Sequence, residues 1–524
     1  VNVTNALELH RAVAAEVLPE PSLHIAGSAV TSTDRGTLDR IDPTTGQLLA
    51  SFPIAGEREV DQAVQAARKA WPAWRRMAAD ERRRILWNIA RAIEAHEDEL
   101  NKIVALETGV PLAVGGMAMA IDHFEYYAGW VDKFEGVLIS TYPGSALDYV
   151  KYEPYGVVDV FVPFNGPIPN AAMKLAPAFA AGNCVVLKSP ELSPFGVMRL
   201  AEICREAGLP DGVLSVLSGD KETGQAIIRH PDVAKVAFTG GGAVARSVMA
   251  VASESLTPVV LELGGKSANL IFEDADLDAA AQMAAMMSAV MLSGQGCLFP
   301  TRLMVQESVY DEVIERVAAV TTSATIGDPL DPNALMGPVI SEDAADRILS
   351  MVDAARKEAR VVTDGERIDT DLGGNCFVRP TVLADVDNTS SIAQQEVFGP
   401  VLAMMPFKDE TQALGMANST EHGLAAYVHT NNLKRAHRAA DGLVAGWIGV
   451  NSFPPMAATA PFGGVKASGF GREGGRAGIE EYVYQKTSTS RFPRSEQGSR
   501  GVVMETSGRA PRLGLRAVPG RSTC

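Results

Sequence analysis

Val157-Val158-Asp159-Val160-Phe161-Val162, followed after a helical interval over 170–181 by Asn183-Cys184-Val185-Val186-Leu187-Lys188, decides the fold class of this chain. Both runs are short, apolar and rich in β-branched residues, the pattern of strands buried on both faces. The rhythm continues downstream. Helices are predicted over 193–207, 222–229 and 243–253, and strands over 213–217, 233–239 and 258–261. Strands alternating with helices imply right-handed βαβ crossovers and a parallel sheet. Such sheets bind ligands outside the carboxyl ends of their strands. Lys188, Thr239 and Glu262 stand at those ends.

A second α/β alternation is predicted over about 268–450. Its strands are 268–272, 302–306, 401–407 and 447–450, and its helices 277–291, 309–320, 343–359 and 432–442. One more strand is expected over 482–487. Upstream, 4–18 reads as a short amphipathic helix, 22–53 as short β-runs between turn signals, and 57–134 as helical. Residues 147–155 alternate like a solvent-facing ribbon. From Arg491 onward seven arginines face two glutamates in a Gly-, Ser- and Pro-rich setting. That tail reads as a disordered, solvated appendage.

Length and charge bound the rest. A chain of 524 residues suggests roughly three domains. A net charge of −16 argues against nucleic acid as a main partner, since phosphate binding needs a basic footprint. The five cysteines are widely spaced, with no CxxC or Cys/His cluster, so neither a metal site nor a disulfide framework is expected. No signal pattern opens the chain. The longest apolar stretch, 279–292, is too short to span a bilayer. The expected location is the cytoplasm, with no membrane partner.

Two glycine-rich segments carry the chemistry. Leu261-Glu262-Leu263-Gly264-Gly265-Lys266 offers a carboxylate, and Gly294-Gln295-Gly296-Cys297 offers a thiol. A thiol is the best side-chain nucleophile near neutral pH, and a carboxylate can activate water. Together they could form and hydrolyse an acyl-enzyme. Gly240-Gly241-Gly242-Ala243-Val244-Ala245 fits G-x-G-x-x-A between a strand and a helix, a place for phosphate. By the usual rule Glu262, about 20 residues on, would hold the ribose. Lys188 and Glu191 could do so instead, and the pattern alone leaves both open.

The blocks Val162-Pro163-Phe164-Asn165, Lys188-Ser189-Pro190-Glu191, Phe238-Thr239-Gly240, 261–266, 294–297, Gln395-Glu396-Val397-Phe398-Gly399-Pro400 and Pro461-Phe462-Gly463-Gly464 occur in the order found in aldehyde dehydrogenases. Lys466-Ala467-Ser468-Gly469-Phe470-Gly471-Arg472-Glu473 fits as well. The chain resembles that family over roughly 25–490. The resemblance implies two Rossmann-like parallel-sheet domains, one for cofactor and one catalytic, with a small β oligomerisation arm. It implies Cys297 as nucleophile, Glu262 as general base and Asn165 as oxyanion donor. It places Lys188 and Glu191 on the adenine ribose, Glu396 on the nicotinamide ribose with Phe398 beside it, and Phe164, Gly240 and Gly241 along the cofactor. Cys184 and Cys204 are expected in the core.

Three departures follow from the same resemblance. Phe164 stands where Trp is usual. Gly241 stands where a phosphate-binding Ser is common, leaving backbone donors only. Gly166 and Asn170 replace larger apolar residues in the pocket, which with Leu298, Met456 and Phe462 implies room for a bulky, hydrophobic aldehyde. The implied cofactor is NAD rather than NADP, because the Glu191 carboxylate would repel a 2′-phosphate. The implied domains are 1–134 and 155–265 for cofactor, 135–154 for the first part of the arm, 266–465 for catalysis, 466–490 for a return segment and oligomerisation strand, and 491–524 for the tail. A homodimer or homotetramer is implied. The competing readings are a CoA-acylating aldehyde dehydrogenase, a non-catalytic binding or structural relative, and a simple thiol esterase.

Overall fold

The computed structural model describes residues 3–141, 146–453 and 456–491. The basic tail beyond Arg491 lies outside the described residues. Among them, no helix is long and apolar enough to cross a membrane. Contacts divide the chain into two compact units, 1–135 with 151–486, and 136–150 with 487–524.

In the larger unit the N-terminal helix Val3–Val17 precedes a hairpin of β1 (Leu23–Ile25) and β2 (Ser28–Val30) and a ribbon of β3 (Thr37–Ile41) and β4 (Leu48–Pro53). Helices then run to Ala128. The smaller unit holds β5 (Val137–Ile139) and the outer part of β6 (Leu147–Pro154), paired antiparallel from Val137↔Val150 to Ile139↔Asp148.

The first large sheet is built on β7 (Val157–Phe161), β8 (Cys184–Lys188), β9 (Leu214–Leu217), β10 (Val233–Gly240) and β11 (Val259–Leu263). These five run parallel, in the order β11-β10-β7-β8-β9. β1 adds antiparallel to β9, with β2 outside it. All five residues of β7 and of β8 are buried, as expected of strands covered by helices on both faces. Even Asp159 is buried, and burial holds its carboxyl well above the usual range. The register matters for function. Phe161 pairs with both Lys188 and Phe238, and Thr239 pairs with Glu262, so the strand ends finish at one level.

The second sheet contains β12 (Ala268–Ile271), β13 (Arg302–Gln306), β14 (Arg360–Thr363), β15 (Thr381–Ala384), β16 (Val401–Phe407), β17 (Ala425–His429) and β18 (Trp447–Val450), in the order β14-β15-β16-β13-β12-β17-β18. All its pairs are parallel except β14 with β15. The last strands are β19 (Gly469–Phe470), antiparallel on β11 at the edge of the first sheet, and β20 (Val483–Ser490), beside β6.

Two features differ from the sequence reading. β14, β15 and β17 were not predicted. β17 is the run Ala-Ala-Tyr-Val-His, whose two alanines and histidine carry little strand preference, yet it pairs with β12 and is wholly buried. The helix expected over 277–291 ends at Ala285, continues as a π-turn over Met286–Val290, and then breaks. Leu292, Ser293 and Gly294 take left-handed backbone angles in succession, with φ of 49°, 51° and 73°. Gly294 has no alternative: a β-carbon there would lie 2.1 Å from the carbonyl oxygen of Gly399. The left-handed Leu and Ser cost about 1–2 kcal/mol each.

Candidate active site

That break presents Cys297. Ser293 Oγ donates to the Gly337 carbonyl at 2.7 Å, and the Ile340 N–H donates to Gln295 Oε1 at 3.1 Å, pinning the loop from the far side. From the first sheet, Asn165 Nδ2 donates to the Gln295 carbonyl at 2.8 Å, two residues before the cysteine. Asn165 therefore lies against the loop that carries Cys297.

Cys297 opens on a cavity of about 1290 Å³. All fifteen residues singled out from the sequence line it: Phe164, Asn165, Gly166, Asn170, Lys188, Glu191, Gly240, Gly241, Glu262, Cys297, Leu298, Glu396, Phe398, Met456 and Phe462. They divide by chemistry. One arm of the cavity follows the carboxyl ends of β8, β10 and β11. There Lys188 Nζ donates to Glu191 Oε1 at 2.8 Å and to the Ser189 carbonyl at 3.0 Å. Gly241 caps the helix Gly242–Ser255, and nothing lies within 4 Å of where its β-carbon would be. The first N–H groups of that helix are thus open to an anion.

Farther along, Glu396 accepts from the Gly265 N–H at 3.2 Å. A β-carbon on Gly264 would fall 2.1 Å from Glu396 Oε2, which explains the Gly-Gly pair. Burial raises the Glu396 carboxyl to about 7, opposed by the Gly265 N–H and the charges of Lys266 and Arg347. Phe398 adopts φ of 50° and meets Phe164 edge-to-face at 5.6 Å between ring centres.

The other arm is apolar. Met173, Leu298, Phe299 and Phe462 form one buried cluster, with Met119, Met287, Met291, Phe453 and Met456 packed on it beside Cys297.

Glu262 and Cys297 sit where the arms meet. Glu262 is buried, and neither carboxyl oxygen has a hydrogen-bond partner among the described residues. Burial, then the charge of Glu473, hold its carboxyl well above the usual range, while Lys174 and Arg472 pull it down. Cys297 is half-buried; enclosure by the cleft walls, with the negative fields of Glu396 and Glu262, pushes its thiol up to about 12. At neutral pH this thiol needs a base, and Glu262 is a carboxyl near enough for its charge to act on the sulfur.

Two neighbours escaped the sequence reading. Lys174 and Glu473 form an ion pair beside Glu262, and both are buried. Lys174 is the one charge in a helix, Pro167–Ala181, otherwise made of apolar residues and one asparagine. That isolation was the available signal, since a buried lysine requires a partner. Arg347 was also missed; it lines the cavity and donates to the Val397 carbonyl at 2.6 Å.

Comparison with known proteins gives the family. A model of the aldehyde dehydrogenase family matches residues 30–488. An aldehyde dehydrogenase-like protein of Schizosaccharomyces pombe is 40% identical over 456 residues, covering 86% of this chain and 91% of its own. An aldehyde dehydrogenase of Emericella nidulans is 39% identical over 471 residues, covering 89% and 94%. Among solved structures, betaine aldehyde dehydrogenase from Staphylococcus aureus in complex with NAD+ is 33% identical, with a TM-score of 0.87 and coverage of 91% and 95%. A match across nearly the whole chain, with a thiol and a carboxylate meeting in one cleft, places this protein in the aldehyde dehydrogenase family.

Proposed function

We propose that this chain oxidises a bulky, apolar aldehyde to its carboxylic acid with NAD, through a thioester on Cys297 that Glu262 hydrolyses. The observation that carries the reading is the meeting of Cys297 and Glu262 in one cavity between a polar arm and an apolar one.

The residues of the polar arm fit a dinucleotide. The Lys188–Glu191 pair offers a donor and an acceptor to ribose hydroxyls, and the helix at Gly242 offers N–H groups to a phosphate. Glu396 would accept from the second ribose. The Glu191 carboxylate disfavours a 2′-phosphate, which supports NAD over NADP.

Each step has a group to perform it. Glu262 takes the thiol proton, and Cys297 Sγ bonds to the aldehyde carbon. The oxygen that becomes negative meets the Asn165 amide and the Cys297 backbone N–H; one such donor is worth about 3 kcal/mol. Bound NAD supplies the acceptor for the hydride that leaves this adduct. Cys297 then carries a thioester. Glu262, having released the thiol proton to solvent, takes a proton from water, whose oxygen attacks the acyl carbon; the C–S bond breaks, the acid leaves, and Glu262 returns that proton to the sulfur.

The segments 138–153 and 482–490 are assigned to assembly as a homodimer or homotetramer in the cytoplasm; all three residues of β5 are exposed. The two large sheets are assigned to cofactor binding and catalysis, with the division near 265.

The test is NADH formation over a panel of aliphatic, aromatic and terpenoid aldehydes, with product analysis with and without CoA. Acid formed without CoA is expected, and Cys297→Ser abolishes NADH formation. Full NADH production by that variant, or a product that requires CoA, overturns the reading.

A further inference from the structure

Among the described residues, the apolar arm has one polar side chain that no step above uses. Asn170 lies on the helix Pro167–Ala181, three residues before Met173 and four after Gly166. Its Nδ2 donates to the Gly166 carbonyl at 2.8 Å, and its backbone N–H donates to the same oxygen at 3.0 Å. A carbonyl can only accept, so the amide is held with its nitrogen toward the backbone. Its Oδ1 is turned away from that bond. Among the described residues none donates to it. The side chain is half-buried and lines the cavity.

Gly166 is part of the same device. A β-carbon there would lie 3.0 Å from Asn170 Nδ2, so a side chain at 166 would press on the amide that the Gly166 carbonyl anchors. The surrounding wall, Met119, Met173, Met291, Leu298, Phe453 and Phe462, presents thioethers, rings and an isobutyl group, none of which donates a hydrogen bond there. A fixed acceptor in such a wall selects a ligand that is apolar over most of its surface and carries one donor.

Resting on the aldehyde-oxidising reading above, we propose that Asn170 is a specificity residue, whose Oδ1 accepts a hydrogen bond from a hydroxyl on an aromatic aldehyde. The substrate class is a hydroxyaryl aldehyde. An acceptor that the bound ring covers discriminates more sharply than greasy contact, because an analogue lacking the donor leaves it desolvated and unpaired.

The test compares kcat/KM for 2-, 3- and 4-hydroxybenzaldehyde with that of the matching methoxybenzaldehydes, and with benzaldehyde, in the wild type and in Asn170→Leu and Asn170→Ala. Methoxy keeps a ring oxygen at the same position but has no donor. The wild type is expected to favour at least one hydroxy isomer over its methoxy partner by about tenfold or more. In both variants that ratio falls to about one. Wild-type ratios near one for every isomer overturn the inference, and so does a ratio that survives in either variant. If the variants do not fold, the wild-type ratios decide. NADH from none of these aldehydes or of the wider panel sinks the underlying reading instead, which separates the two failures.

Discussion

Replacing Lys174 by Met is the most searching perturbation of the site. Lys174 is buried, paired with Glu473, and its charge lowers the Glu262 carboxyl. Met keeps the length of the side chain and removes the charge. At an effective dielectric near 20, two unit charges within one site interact by about 2–4 kcal/mol. The loss raises the Glu262 carboxyl further above its usual range. Arg472 remains and limits the rise. Glu262 acts as a base only when ionised, so the rising limb of the kcat–pH profile moves to higher pH. At neutral pH kcat falls about 10- to 100-fold, and it recovers as pH rises. Stability also falls, by about 3–5 kcal/mol for a broken buried pair, so thermal melting is followed in parallel. A folded variant whose profile superimposes on that of the wild type would refute the coupling of Lys174 to Glu262.

Other outcomes follow from the same geometry. Glu262→Gln keeps shape but loses the base, so rapid mixing with a strongly excess aldehyde should give at most one NADH per site and then turnover slowed by about 10²–10⁴; sustained wild-type turnover would exclude Glu262 from hydrolysis. Glu396 titrates near 7, and its carboxylate is the form that accepts ribose hydroxyls. The KM for NAD should therefore fall as pH rises from about 6 to 8, and Glu396→Gln should flatten that dependence. His10 joins the N-terminal helix to Asp42 and Asp328 at 2.6 and 2.9 Å. Burial would lower it, but the two carboxylates outweigh burial and raise it from 6.5 to about 9. A folded value above the free one stabilises fully below about 6.5 and is lost as pH rises through about 9, a span worth about 3 kcal/mol. Hydrogen exchange of the helix Val3–Val17, corrected for intrinsic rates, should reveal that loss; His10→Leu should abolish its pH dependence.

The local pattern of this chain determined much on its own. Runs such as 157–162 and 183–188 are apolar on both faces, which only a sheet covered on both sides can bury, and the helices between them leave a parallel crossover as the solution. The ends of those runs placed Lys188 and Glu262 on the ligand side before any contact was known. Glycines at 264, 265 and 294 were legible as the setting of a carboxylate and a thiol, but not as points where other backbone or side chains come close. Tertiary structure decided the rest. β17 has weak intrinsic preference and becomes a strand because β12 and β18 pair with it on both sides. The helix after Leu277 stops short because Gly399, Gly337 and Ile340, distant in sequence, hold the loop to Cys297 in left-handed turns that periodicity cannot foresee. The titration of Glu262 likewise depends on Lys174 and Glu473, separated by 299 positions along the chain and adjacent in the fold. A residue type can be read from the chain, but its charge state depends on what folding packs around it.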